Sequence, residues 1–248
     1  MSTMNIGEEG FWWFVGLVES VDDPLGMGRA RVRIYNIHSD KKTILPTSQL
    51  PWAVPLMPLT SASSQQVGTS PTGLEIGSTV FGFFMDGRSA QHPVMIGTMP
   101  GIPGKDNNKH DVPLEARGST RINKPLQGPE PKSAFAAKYP HNKVTKTKQG
   151  HVIEIDDTPG HERIHVYHKS GSYVEINEAG RMVTKVVNDN YSIIASNDVV
   201  DIKGNATVHV TGNMDYTVDG NINISAGGDC NITSSKMTLV ASRVDINP

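Results

Sequence analysis

Near the C-terminus the chain reads GNATVHVTGNMDYTVDGNINIS, with Gly-Asn at Gly204-Asn205, Gly212-Asn213 and Gly220-Asn221, a strict spacing of eight residues. A fourth copy begins at Gly228-Asp229, and degraded copies begin at Lys236 and Val244. Within each octad the third, fifth and seventh positions are mostly apolar: Ala206, Val208 and Val210; Met214, Tyr216 and Val218; Ile222, Ile224 and Ala226; Cys230 and Ile232. The positions between them are nearly all polar. Alternation with period two is the mark of a strand with one buried face. Each octad therefore predicts one short strand followed by a turn. The turns fall at Gly204, Asn205, Gly212, Asn213, Gly220, Asn221, Gly228 and Asp229, where glycine is expected to supply a positive φ or a close approach and Asn or Asp to bond local backbone.

An eight-residue strand cannot bury its own apolar face, so such repeats must stack. A single-chain β-helix would use three octads per coil. An intertwined triple-stranded β-helix of three chains solves the problem more simply, each copy giving one face per layer, and it removes all strand edges except the ends. With strands stacked at about 4.8 Å, six octads make a stiff prism on the order of 30 Å long. Its interior would be Val208, Val210, Met214, Tyr216, Val218, Ile222, Ile224, Cys230 and Ile232. Cys230 reads as a packed free thiol, and the Tyr216 hydroxyl needs a partner, a water or an ion on the axis.

The rest of the chain is also β in character. Residues 1–10 read as a tail. Over 11–100, FWWFVGLVES, RARVRIYNI, STVFGFFMD and HPVMIGTM are strand candidates, and PWAVPLMPL is extended but broken by proline, an edge or a connection. In RARVRIYNI, Ala30, Val32 and Ile34 share one face and Arg29, Arg31 and Arg33 the other. About five short antiparallel strands in this span suit a small closed barrel, foremost the OB-fold. Residues 101–148 are polar and rich in Pro and Gly, an extended linker. Residues 149–248 form the rest, with three alternating strands separated by turns before the octads settle into register from about 196. The fold class is all-β.

Formal net charge is -2, which argues against a nucleic-acid partner. The single cysteine excludes a disulfide within the chain. No run reaches the roughly 18 apolar residues of a spanning helix. The N-terminus lacks the basic and apolar regions of a signal peptide. His151, His161, His165 and His168 cluster in sequence without a His-x-His pair, and they read as solvated surface. Asp22-Asp23 and Asp156-Asp157 adjoin prolines or their turns and read as turn chemistry. No metal or cofactor is expected.

The runs WFVGLVESVDDPLGMGRARVRIYNIHS, LPWAVPLMPLTSAS and VFGFFMDGRSAQHPVMIGTM resemble the OB domain of the central spike proteins of contractile-tail phage baseplates. GHVIEIDDTPGHERIHVYHKSGSYVEI resembles the start of their needle, and Val210-Thr-Gly212-Asn213 and Val218-Asp-Gly220-Asn221 match the octapeptide shared with the valine-glycine repeat spikes of type VI secretion. The resemblance implies a homotrimer in the virion tail baseplate, assembled in the host cytoplasm, whose needle pierces the host outer membrane on sheath contraction. It implies a tail hub on a separate chain, since this sequence starts almost at the barrel. Trp12, Trp13, Arg31, Trp52, Leu56 and Met57 are the candidate hub interface. The untapered C-terminus implies a small capping tip protein. Some phage relatives carry a lysozyme domain between barrel and needle. Here that position holds only residues 101–148, whose carboxylates Asp106, Asp111, Glu115 and Glu130 have no scaffold to separate their pKa values, so no enzyme is expected. The competing reading is a carbohydrate-binding or depolymerising β-helix protein with an OB-type module, which would need an acidic groove that the outward octad positions lack.

Overall fold

The computed structural model describes residues 12–61, 67–100 and 130–245, so the expected tail at 1–10 and most of the expected linker lie outside the described residues. The chain divides into two units, Met1–Tyr191 and Ser192–Pro248. Among the described residues there is no α-helix.

The first unit holds two sheets. Strands β1 (Trp12–Ser20), β2 (Ala30–Ile34), β3 (Trp52–Pro55), β4 (Thr79–Phe84) and β5 (Pro93–Met99) close into a barrel in the order β1-β2-β3-β5-β4. All neighbours are antiparallel except β3 and β5, which run parallel. This is the five-stranded Greek-key barrel that the alternation predicts. Its core takes every second residue: Phe14 and Val18 from β1, Ala30, Val32 and Ile34 from β2, Ala53 from β3, Val80 and Phe84 from β4, and Met95 from β5. The PWAVP run is a full member of the closed barrel rather than an edge. Pro51 and Pro55 bracket it, and only two residues pair on each side, Ala53 and Trp52 with β2, Val54 and Pro55 with β5.

Two details tighten the barrel. Gly82 lies opposite Phe14, and a Cβ there would sit 1.9 Å from the Val94 carbonyl oxygen and 2.7 Å from the Phe14 ring. Only glycine permits this approach. On β1 the register slips between Val18 and Ser20, leaving Glu19 as a bulge. The bulge turns the Glu19 carboxylate onto Arg33, 2.7 Å from Nε, with Thr47 Oγ1 donating at 2.5 Å.

The second sheet runs in the order β10-β9-β8-β7-β6 and is wholly antiparallel: β6 (Asn142–Lys146), β7 (Val152–Asp156), β8 (Arg163–Tyr167), β9 (Tyr173–Asn177) and β10 (Met182–Lys185). It has two strands more than the three expected, and β6 falls within the stretch read as linker.

The second unit contains extended segments separated by bends. Starting before the unit itself, bends fall at 187–188, 195–196, 203–204, 211–212, 219–220, 227–228, 235 and 242. The eight-residue period thus holds from 187 to 235, including repeats that have no glycine, and the last interval, to 242, is seven. The glycines do not adopt the positive φ expected of them: none of Gly204, Gly212, Gly220 and Gly228 is left-handed, and a Cβ on any of them meets nothing within 4 Å.

All three tryptophans, Trp12, Trp13 and Trp52, lie in the barrel, so their fluorescence reports the barrel alone. Gly82→Ala should destabilise the barrel by about 1–3 kcal/mol or more, read as a lower denaturant midpoint for tryptophan emission. Gly97→Ala, on open space, should leave that midpoint in place.

Candidate functional site

Period-two alternation gives the second sheet two chemically opposite faces. One carries two cross-strand rows of mostly branched apolar residues. The first row is Lys143, Ile155, Ile164, Ile176 and Met182; the second is Thr145, Ile153, Val166, Val174 and Thr184. This face is open: Ile153, Ile155, Ile164 and Val166 are each 45–54% exposed. The other face carries Asn142, Asp156 and Arg163 in one row, and Glu154, His165 and Glu175 in the next. All six are buried. The sheet is therefore inverted relative to a soluble sheet with one packed face.

The buried charges form a cluster. Arg163 lies 2.6 Å from Glu154 and 3.0 Å from Glu175, and all three side chains are 4% exposed or less. Asn142 Nδ2 donates to Glu154 at 2.7 Å. His165 Nδ1 stands 3.8 Å from Glu154, and neither of its ring nitrogens has a hydrogen-bond partner. Burial, with the neighbouring Arg163 guanidinium, pushes the His165 pKa down to about 4, so the ring is neutral at pH 7. Burial alone would raise Glu175, but bonds from Ser133, the Ala134 N–H and Arg163 outweigh it and hold this carboxyl below its usual range. His165 thus departs from the solvated surface expected of it, because the polar face is the covered one. His151 and His168 sit with ring centroids 4.5 Å apart, with His168 exposed and His151 half-buried. Among the described residues no group of three His, Cys, Asp or Glu is placed to hold a metal.

The cover is the segment 130–138. Phe135 lies 4.9 Å from the Arg163 guanidinium, and Ser133 and Ala134 bond Glu175. Sequence reasoning missed this segment, Arg163 and Glu175 alike. The available signal was the alternation of VIEID and RIHVY, which puts Glu154 and Asp156, and Arg163 and His165, on one face.

The candidate hub residues fall into separate clusters. Trp13 stacks on Phe81 at 5.4 Å, with Phe83 edge-on at 5.8 Å, and Trp12 lies under Arg88 at 6.0 Å. The Arg29 and Arg31 guanidinium groups lie over the Trp52 ring at 5.2 and 4.2 Å. Arg31 also donates to the Leu50 carbonyl. Leu56 is exposed, while Met57 lines a shallow groove with Met27 and Val67. Arg33, expected on an outer face with Arg29 and Arg31, is buried against Glu19 and holds its carboxyl down to about 2, chiefly through the hydrogen bond. Asp23 accepts the backbone N–H groups of Leu25, Met27 and Arg29, which is the turn chemistry expected there.

The octad positions named as interior are exposed in the single chain. Val208, Val210, Met214, Tyr216, Val218, Ile222, Ile224, Cys230 and Ile232 all face solvent. So does every residue from 186 to 245.

Breaking the buried cluster should be costly. Arg163→Met leaves two carboxylates without their cation and should cost about 3–5 kcal/mol, read as faster hydrogen exchange of the β7 and β8 amides. Lys143→Ala, at an exposed pair with Asp157, should change that exchange by less than about 0.5 kcal/mol.

Residues 35–113 match the family model for the Gp5 N-terminal OB domain. The chain is 32% identical over 268 residues to protein Gp5 of Vibrio phage KVP40, an alignment covering 81% of this chain and 63% of that protein. It is 37% identical over 102 residues to the pre-baseplate central spike protein Gp5 of Enterobacteria phage T4, covering 39% of this chain and 18% of that protein. The chain therefore spans less than two thirds of the length of either relative. A closed five-stranded barrel matched over residues 35–113 by that domain model, with an alignment reaching over most of the sequence, makes the chain similar to these phage Gp5 proteins.

Proposed function

We propose that the chain is the structural central spike of a contractile phage-tail baseplate, acting as a homotrimer whose octad segments wind into a needle. The observation that carries this reading is the inverted sheet followed by a run of residues exposed throughout. Two apolar rows and the apolar octad positions are open in one copy. Contiguous exposed apolar surface marks an interface, and each Val or Ile covered on assembly contributes about 1.5–3 kcal/mol. Three copies related by a threefold axis would turn these faces inward. The octad glycines, uncrowded in one chain, would then face neighbouring backbones. Gly204, Asn205, Gly212, Asn213, Gly220, Asn221, Gly228 and Asp229 form the turns in this arrangement.

The barrel docks under a separate hub protein through the clusters around Trp13 and Trp52. A small tip protein caps the C-terminus. The needle breaches the host outer membrane, and the protein resides in the virion tail baseplate. The role is mechanical, without muralytic activity. Of the four carboxylates considered for such chemistry, Asp106, Asp111 and Glu115 lie outside the described residues. Glu130 is held by Tyr173 at 2.8 Å and Lys185 at 2.5 Å.

Sedimentation equilibrium should give three times the chain mass, 26.9 kDa, and Ile164→Asp or Ile224→Asp should shift it toward monomer. A well-folded monomer at micromolar concentration would overturn the needle. A peptidoglycan zymogram should show no clearing; a cleared band would overturn the purely mechanical role.

A further inference from the structure

We propose that residues 130–138 form a detachable strap, clamped across the polar face of the second sheet by side-chain bonds centred on Glu175, and that acid opens it while the sheet beneath stays paired.

The clamp spans three strands and the β7–β8 turn. Ser133 Oγ donates to Glu175 Oε2 at 2.6 Å, and the Ala134 N–H donates to Glu175 Oε1 at 3.2 Å. Lys138 N–H donates to Thr158 Oγ1 at 2.9 Å. Arg181 donates to the Lys132 carbonyl at 3.2 Å, and Glu130 takes bonds from Tyr173 and Lys185. Phe135 caps Arg163. Each of these hydrogen bonds has a side chain at one end at least, whereas β6–β10 are held by backbone ladders. Units held by different bonds open separately, the weaker first.

The chemistry under the strap decides what loosens it. His165 is buried with no hydrogen-bond partner on either ring nitrogen. It faces Glu154 from β7, Arg163 and Tyr167 on its own strand, and Glu175 and Tyr173 from β9. Opening the strap returns the ring to water and to its ordinary affinity for a proton. Its closed-state pKa, about 4 against an ordinary value of 6.5, means that the open state binds more protons between those two values. The closed strap therefore loses stability as pH falls through that window, and the loss levels off below it. Glu175, whose closed-state pKa is lowered from 4.5, contributes stability present above that value and lost as pH falls below it. Both act in the same direction.

The test is hydrogen exchange on the full chain across pH 7 to 4, corrected for the intrinsic rate. Protection of the Ala134 and Lys138 amides should fall by up to roughly tenfold per pH unit below about 6.5, while the β7 and β8 amides keep theirs. His165→Gln should flatten that slope. Ser133→Ala leaves the sheet untouched and should raise strap exchange about two- to tenfold at pH 7. Strap and strands losing protection together would overturn the proposal. So would a strap protection independent of pH, a slope unchanged in His165→Gln, or no effect of Ser133→Ala.

Discussion

A sheet can bury either its charges or its hydrocarbon beneath a single cover, and the second sheet of this chain buries its charges. Taking Glu154, Arg163 and Glu175 out of water is expensive unless each finds its partner. The pairings at 2.6 and 3.0 Å supply those partners, and Ser133 and Ala134 complete the Glu175 coordination from above. With the charged face closed within the chain, the isoleucine rows are the surface left over. In water that surface is a standing cost and an adhesive. The proposed trimer follows from this division, with the strap closing one face locally and other copies closing the second.

The octads obey the same logic with less local support. No residue from 186 to 245 is buried, yet the bends keep their eight-residue beat. That beat passes through Val187-Asn188, Ala195-Ser196 and Ser235, where no glycine stands. Glycine is therefore not what makes the bend. Alternation and a regular bend define the repeat, and in the proposed needle the glycines would mark where other copies disallow bulk. A single chain leaves those glycines in open space, so in the proposed needle the crowding comes from other copies.

The barrel was legible because alternating strands with turn residues between them leave a periodic trace. β3 was blurred because prolines bracket it and its pairings are two residues long. Glu19 and Arg33 were not legible. A bulge turns Glu19 onto Arg33, and the loop after β2 covers Arg33 through the Ser39 and Leu45 carbonyls; neither has a periodic signature. The covered face of the second sheet was misjudged for a plain reason: polarity in sequence shows that a strand has two faces, but not which one another segment will cover. The strap, EPKSAFAAK across 130–138, has no period at all. β6 reads as NKVTK, whose lysines disguise a strand among linker residues.

The buried charges also solve a problem that the isoleucines cannot. Strands of four or five residues with interchangeable Ile and Val rows tolerate a two-residue slip, which keeps every apolar side chain on its own face. A one-residue slip is already forbidden, since it would turn Ile155 and Ile164 under the strap and Arg163 out onto the apolar face. Only the charged face distinguishes the remaining registers. Sliding β8 by two residues against β7 would move Arg163 away from Glu154, and sliding it against β9 would separate it from Glu175. Either slip strands a carboxylate in a dry site. The cluster thus fixes the register from β6 to β9, and in doing so aligns the apolar rows across those four strands, which an assembly of identical copies requires if each is to present the same surface.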